Sequence, residues 1–460
     1  MGLSTALEIG KTGLNIYRVA TEVTSQNIAN VNTPGYSRQR IIMESAPPTT
    51  SNGFPLGSGV RIATVERYYD GLIQKQLVNA QTTQGFDTTK STVLQQIEPT
   101  FNEIANDGLG TAIADFFGAW QDLSLNPTGS TERQTVLTRS QLLVDNFHSV
   151  DKSLTDAIST QDQSLVPLTN GMNATLQSIA KLNGQIRYTE QVSGNANEMR
   201  DQRDQLVRDL SKQTSISFTE NNDGTTDVVF KDTGAALVTG SQFGSFSLTP
   251  VAGKYAVNLT PVGGVAAVVT PLTGSLGATI NLRDTIIPGY QASVNALAST
   301  IASTVNTQHQ LGFDLNGAVG IAIFTPAVAS AATISINPLL TSTTQIAASG
   351  SATLKGDNSN ALKLAQLKGT NTMSGATTTF NSYFNSLVSK IGLDVESSKN
   401  TVSQDVAFIK QLSALRESSS GVSLDEELAN LIKYQRSYQA SAKLISTASD
   451  MMDIALNMVR

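Results

Sequence analysis

The chain of 460 residues has no cysteine, one tryptophan and two histidines. Without cysteine there can be no disulfide, zinc–thiolate site or thiol nucleophile. That absence fits an extracellular protein that never meets a disulfide-forming machinery. Charge is scarce too. Asp, Glu, Lys and Arg make up 15% of the residues, against about a quarter in ordinary soluble domains. Ser, Thr, Asn, Gln and Ala take their place. The net charge of −6 leaves no basic footprint for nucleic acid. No apolar run reaches the roughly eighteen residues of a membrane span. The first thirty residues lack a basic n-region, a continuous apolar h-region and a twin-Arg pair. Taken alone, this predicts a cytoplasmic protein, or one exported by a route that cleaves nothing.

Reactive constellations are missing as well. Gly10-Lys11-Thr12 resembles the end of a phosphate loop, but Thr5 stands where that loop needs its first glycine. Asn221-Asn222-Asp223-Gly224 with Asp227 lacks the spacing and terminal Glu of a calcium loop, and reads as a hairpin turn. His148 and His309 fall on separate predicted helices, with no carboxylate and serine at triad spacing. Asp425-Glu426-Glu427 reads as negative charge in the first turn of a helix, favourable against its dipole. Arg200-Asp201-Gln202-Arg203-Asp204 reads as a solvated or lightly paired mixed-charge face. Trp120 reads as a core residue. The expectation is a protein that is not an enzyme and has no metal or cofactor.

What the chain does have is a long heptad seam at its end. Leu424, Leu428, Leu431, Gln435, Tyr438, Ala442, Ile445, Ser449, Met452, Leu456 and Val459 alternate steps of four and three. All but Gln435 and Ser449 are apolar, and neither Pro nor Gly interrupts the run from Val422 onward. A 3.5-residue repeat keeps one stripe turned toward a partner, so this end predicts a coiled coil. A weaker ladder opens the chain: Leu3, Leu7, Gly10, Leu14, Tyr17, Thr21, Thr24, Ile28 and Val31. Gly10 and Gly13 each cost about 1 kcal/mol against Ala. The ladder therefore predicts a helix that forms only when packed, with its glycines admitting a close neighbour. Neither terminal helix is expected to be stable alone. The first is expected to stop at Thr33-Pro34-Gly35.

Between the ends, the pattern predicts strands at Arg38–Met43 and Val60–Val65, with Asn52-Gly53 as a turn. Helices are predicted from Tyr68 to Ile97, over Gly110–Leu123, and from Gln134 to Val192 with a kink at Pro167. Residues 214–273 read as short strands. Helix returns over Ala278–Leu311 and again over Thr378–Arg416, the latter with Phe380 to Ile409 inward. The fold class expected is α+β and multidomain. The N- and C-terminal helices form a coiled-coil-like tip, long helices bundle into a body, and a small β domain is inserted. The expected units are 1–33 with 421–460 as the terminal-helix core, 34–205 with 275–315 and 358–420 as the helical body, and 206–274 with 316–357 as the β-rich insertion.

Two segments resemble the bacterial flagellar rod, hook and hook-associated axial proteins. One is Ser25 to Gln39, with Asn27, Asn30, Asn32, Thr33, Pro34, Gly35 and Tyr36 followed by Ser37-Arg38-Gln39. The other is Ser420 to Leu431, with Leu424, Asp425, Glu426 and Glu427. The Ser-Arg-Gln ending and the Leu-Asp-Glu-Glu box are most similar to the branch at the junction of hook and filament. The resemblance implies a structural adaptor outside the cell, exported through the flagellar type III channel without a cleaved signal. The implied partners are further copies of the chain, the hook protein, the second junction protein (hook-associated protein 3) and an export chaperone on the C-terminal helix. Hook protein or another axial subunit is the alternative. Better-known members of this branch carry a further outer β domain, and here only residues 316–357 stand where it would sit.

Overall fold

The computed structural model describes residues 2–51, 54–102, 108–192 and 194–458. The expected turn at Asn52-Gly53 and the last seam position, Val459, lie outside the described residues. Helix α1 (Gly2–Ala29) leads into strands β1 (Gln39–Ser45), β2 (Thr49–Ser51), β3 (Phe54–Leu56) and β4 (Val60–Arg67). β1 and β4 pair antiparallel, as do β2 and β3. Then come α2 (Gly71–Ile97), α3 (Leu109–Leu125), the 63-residue α4 (Ser130–Val192) and α5 (Asn197–Gln213). Asp70 starts α2, its carboxylate accepting from the Leu72 and Ile73 amides. At 1.5 Å per residue α4 is about 95 Å long, and it runs through Pro167 without ending.

The β-rich segment follows. β5 (Ile216–Glu220), β6 (Thr226–Phe230), β7 (Ala235–Thr239) and β8 (Gln242–Phe243) form a sheet in that order. The Asn221–Gly224 turn joins β5 to β6, as its composition predicts. β9 (Ser245–Val251), β10 (Lys254–Thr260) and β11 (Ala267–Val268) make a second, three-stranded sheet. α6 (Gly274–Asn281) passes through a π turn, Leu282–Ile286, into α7 (Ile287–His309). β12 (Phe324–Thr325) and β13 (Ser335–Ile336) pair within a mostly irregular stretch. α8 (Ser359–Gln366), α9 (Phe380–Ser420) and α10 (Leu424–Met458) complete the chain.

Two apolar cores lie along α4. Its first half, through Leu143, Phe147 and Leu154, packs with α3, α7 and the start of α9. Here Phe117 stacks on Phe380 with centroids 5.7 Å apart, and Trp120 is fully buried. Its second half, through Leu165, Met172 and Ile179, packs with α5, α6 and both larger sheets by way of Val207, Leu276, Phe230 and Phe246.

Three expectations are corrected. Residues 316–357 do not join the β-rich core. Phe324, Ile334 and Ile346 pack in the first core. Two polar pins hold the stretch there. Asn306 on α7 donates to the Phe324 carbonyl and accepts from the Ile323 and Phe324 amides. Arg133 on α4 donates to the carbonyls of Thr343 and Ile346. These bonds satisfy backbone groups that an irregular segment would otherwise bury unpaired. Second, Val406 on α9 does not face inward, although Ile409 beyond it packs against buried Leu412. Val406 is 49% exposed, because past Val395 α9 leaves the first core and packs mainly along α2, in a small cluster of Leu77 and Leu412. Third, α1 stops at Ala29, so Val31 sits in the turn that follows.

His309 is sealed in the first core, edge-on to Trp120 at 5.9 Å. Its Nε2 accepts the Ala347 amide and its Nδ1 faces the Ile321 carbonyl. The proton is therefore on Nδ1 and the ring is neutral. Burial lowers its pKa from 6.5 to about 4; the Ile321 carbonyl opposes this, Arg133 adds to it and Asp314 opposes it. The unfolded chain takes up this proton first as pH falls. Stability from the neutral ring is thus complete above pH 6.5 and is lost as pH drops through 4. The expected loss is about 3 kcal/mol across that window. Thermal melts of the wild type and His309→Gln from pH 7 to 4 check it. The variant is expected to be less stable at pH 7 and to lose less on acidification.

Candidate functional site

The two chain ends lie side by side, α1 along α10. Tyr17 stacks on Tyr434 with centroids 6.5 Å apart. A Cβ on Gly10 would stand 2.6 Å from Ile445 Cγ1, and one on Gly13 would stand 2.8 Å from Ser441 Oγ. Only glycine permits that spacing without a shift. The buried residues of α1 are Gly10, Gly13, Ile16, Ala20, Thr24 and Asn27. On α10, Glu427 and Ala448 are buried, and Tyr434, Ser437, Ser441 and Ile445 are half-buried on the same stripe.

This stripe is not the heptad seam. Over most of both helices it lies one residue earlier, about 100° around the helix. Of the seam, Leu431, Ile445 and Met452 are half-buried. Tyr438, Leu424, Leu428 and Leu456 are 42%, 44%, 48% and 63% exposed, and Ala442 is exposed as well. On α1, Leu3, Leu7, Leu14, Tyr17 and Ile28 are half-buried, as is Val31 beyond it. The close approach explains the choice of face. Small residues let the two backbones near each other, so Gly13 meets Ser441, Gly10 makes room for Ile445, and most of the larger seam residues are left outward.

A polar clasp fixes the pair to the body. The Asn27 carboxamide closes a two-bond ring on Gln39, donating to its carbonyl at 2.9 Å and accepting its amide at 2.9 Å. The same side chain donates to Glu427 at 3.0 Å and accepts the Tyr36 hydroxyl at 2.8 Å. Burial first, then Asp201 and Glu198, push the Tyr36 hydroxyl well above its usual pKa, so it stays a donor. Glu427, only 2% exposed, takes Arg38 Nε at 2.7 Å, while Arg38 Nη2 reaches the exposed Glu426 at 2.8 Å. The Arg38 amide donates to the Ser420 carbonyl, and Arg416 donates to the Tyr36 carbonyl.

A second layer ties this motif to α5. Ser37 donates its amide and its hydroxyl to the two oxygens of Asp201, each at 2.8 Å. Arg67 from β4 bridges Asp201 and Asp204 at 2.7 and 2.8 Å. Arg200 and Arg203 pair with Glu220, and Arg200 also with Glu190. Gly35, at φ +86°, turns the chain between these layers. The structure therefore corrects two readings. Asp201, Arg203 and Asp204 are buried and paired rather than a solvated face. Glu427 is the buried anchor of the joint as well as a first-turn acid. Asn30 and Thr33 bond within the turn, while Asn32, Thr33 and Pro34 are exposed. Asp425 is exposed too. Sequence reasoning missed Arg38, Arg67, Asp201 and Asp204 as partners. The one signal was density: several charges crowd α5 in a chain otherwise poor in charge.

Among the described residues no group of three acidic or histidine side chains is placed to hold a metal, and no helix is long and apolar enough to cross a membrane. Paired chain ends, a buried clasp that unites them and an outward apolar seam define a structural protein of the axial type. Residues 94–324 match the family described as the flagellar hook-associated protein FlgK helical domain, and the chain belongs to that family of structural flagellar proteins. Residues 7–36 match the flagella basal body rod protein family, and 416–458 match the flagellar basal body rod FlgEFG protein C-terminal family. Flagellar hook-associated protein 1 of Escherichia coli is 28% identical over 547 aligned positions, which take in 99% of this chain and 100% of that one. Its Bacillus subtilis counterpart is 26% identical, over 99% and 98%. The alignment with the E. coli protein runs longer than this chain, so that relative carries insertions. The fold also matches the flagellar hook junction protein FlgK of Burkholderia pseudomallei, with TM-score 0.67 and 17% identity, over 75% of this chain and 100% of that one.

Glu427→Ala leaves Arg38 and Asn27 without their buried partner. It is expected to destabilise the joint by about 3 kcal/mol. Glu426→Ala, at an exposed acid, is expected to cost under about 1 kcal/mol. Hydrogen exchange at Arg38–Ile42 and in the first turns of α10 separates the two. Equal exchange in both variants would remove Glu427 from its role as anchor.

Proposed function

We propose that the chain is the subunit of the first junction ring between flagellar hook and filament, and that filament assembly needs it. The observation that carries this is the outward seam of α10. Leu424, Leu428, Tyr438 and Leu456 lie on the helix that the clasp fixes and are only partly covered among the described residues. Full burial of each such side chain is worth about 1.5–3 kcal/mol, and half of that remains available to a neighbour. Neighbouring copies supply the cover, so that α1 and α10, with Leu3, Leu7, Leu14, Tyr17, Ile28, Val31, Leu431, Ala442, Ile445, Met452 and Val459, build the inner tube of the ring. The names of the relatives favour the hook–filament junction over the rod.

In this reading the hook protein lies below the ring and hook-associated protein 3 above it. An export chaperone covers α10 beforehand. The chain leaves through the flagellar type III channel without a cleaved signal and acts outside the cell, without catalysis. Electron microscopy of cells lacking the protein is expected to show hooks without filaments, with flagellin shed into the medium. Cells without hooks would favour the hook-protein reading, and normal filaments would overturn both.

The seam itself is tested by a charge. Leu428→Asp changes a residue already half exposed in the single chain, so folding is expected to be unaffected. An unpaired carboxylate in the assembled contact costs several kcal/mol or forces protonation. Secreted Leu428→Asp is therefore expected to leave cells non-motile, and Lys433→Asp, on another face of α10, to leave them swimming. Equal swimming at equal secreted levels would remove the seam from assembly.

A further inference from the structure

Three helical paths cross from the first core to the β-rich core, and two of them carry an irregularity at or just beyond the crossing. α2 gives Val93 and Leu94 to the first core and Val78 to the second. Between them lies Gly85, where a Cβ would run into the Lys212 carbonyl. α4 gives Leu154 to the first core and Leu165 to the second. Pro167 follows at once, with no N–H for the Gln163 carbonyl and a ring that crowds it. The α6–α7 path gives Leu276 to the second core and Ile287 to the first, with the π turn Leu282–Ile286 between. Proline and π turns are the places where helices bend. α9 passes this level unbroken, but it gives no residue to the β-rich core.

One buried side chain straps the same level. Arg283, inside the π turn, donates to Asp162 on α4 at 2.5 Å and to the Tyr255 carbonyl on β10 at 2.6 Å. The Asp162 carboxylate also accepts the Tyr255 amide at 2.9 Å. Asp284 pairs with Arg283 and with Lys254 at the start of β10. A single guanidinium thus joins α4, the π turn and the β-rich part.

We propose that this layer is a hinge. The β-rich part tilts against the helical part at Pro167 and the π turn, α9 serves as the regular spine on the α2 side, and Arg283 limits the swing. One weakened helix would leave the others as struts. Two weakened at one level leave the regular helices α2 and α9, which lie together on one side. Hinges of this kind concentrate a backbone change in a few residues at element boundaries.

The absence of cysteine makes the test direct, since introduced cysteines are the only sites for spin labels. Labels at Ser247→Cys on β9 and Ser303→Cys on α7 span the hinge. Labels at Thr138→Cys and Ser303→Cys lie within the helical part and serve as the control. Pulsed electron-spin distance measurements on the full chain are expected to give a broader distribution for the spanning pair than for the control. Pro167→Ala, which restores the backbone bond and folds readily as helix, is expected to narrow it. Arg283→Gln is expected to broaden it. A spanning distribution as narrow as the control, or one that Pro167→Ala leaves unchanged, overturns the hinge whatever Arg283→Gln does to stability.

Discussion

The burial of Glu427 between Arg38 and Asn27 is the constraint on which the rest depends. A carboxylate at that depth is tolerable only when a cation and a donor meet it. Both come from the far end of the sequence, so Glu427 cannot be buried unless the chain ends are together. Asn27 belongs to α1, Arg38 to the strand entry and Glu427 to α10. One residue therefore sets where α1 stops, how β1 leaves it and how α10 starts. The Ser37–Asp201 and Arg67–Asp201 bonds extend the same logic to α5, and α5 is packed into the β-rich core.

The clasp also decides what the seam is for. Ser441 and Ile445 on α10 face the glycines of α1, and most of the other heptad residues are turned outward. Within the chain the helices make a tight pair with a largely uncovered apolar side. That geometry separates two jobs that one stripe cannot do together, joining the ends of a subunit and joining subunits to each other. Among the described residues the buried ion pairs gather at the clasp with its second layer and at the level of Arg283, while the pairs elsewhere are exposed.

The helical body was legible because its periods are long and clean. Phe116, Phe117 and Trp120, or Leu143, Phe147 and Leu154, mark buried faces at helical spacing, and they are buried in the structure. The Asn221–Gly224 hairpin was legible because its composition suits a tight turn. Residues 316–357 were not legible. They are held by Asn306 and Arg133 through backbone carbonyls and amides, and such bonds leave no pattern in the residues that receive them. The candidate site was half legible. The motifs at the two ends marked where it lies, but a mixed-charge run looks the same in sequence whether it is solvated or buried.

By itself the sequence determined that both ends are helices in need of cover, that the body is helical with an inserted β part, and that thiol chemistry is impossible. Periodicity fixes the first two, since it depends only on neighbours along the chain, and composition fixes the third. Only the tertiary structure decided which face of α10 meets α1, that Glu427 and Asp201 are buried, and which core takes residues 316–357. Those outcomes depend on groups brought together from distant segments, on how closely two backbones can approach, and on which charges find partners when water is excluded.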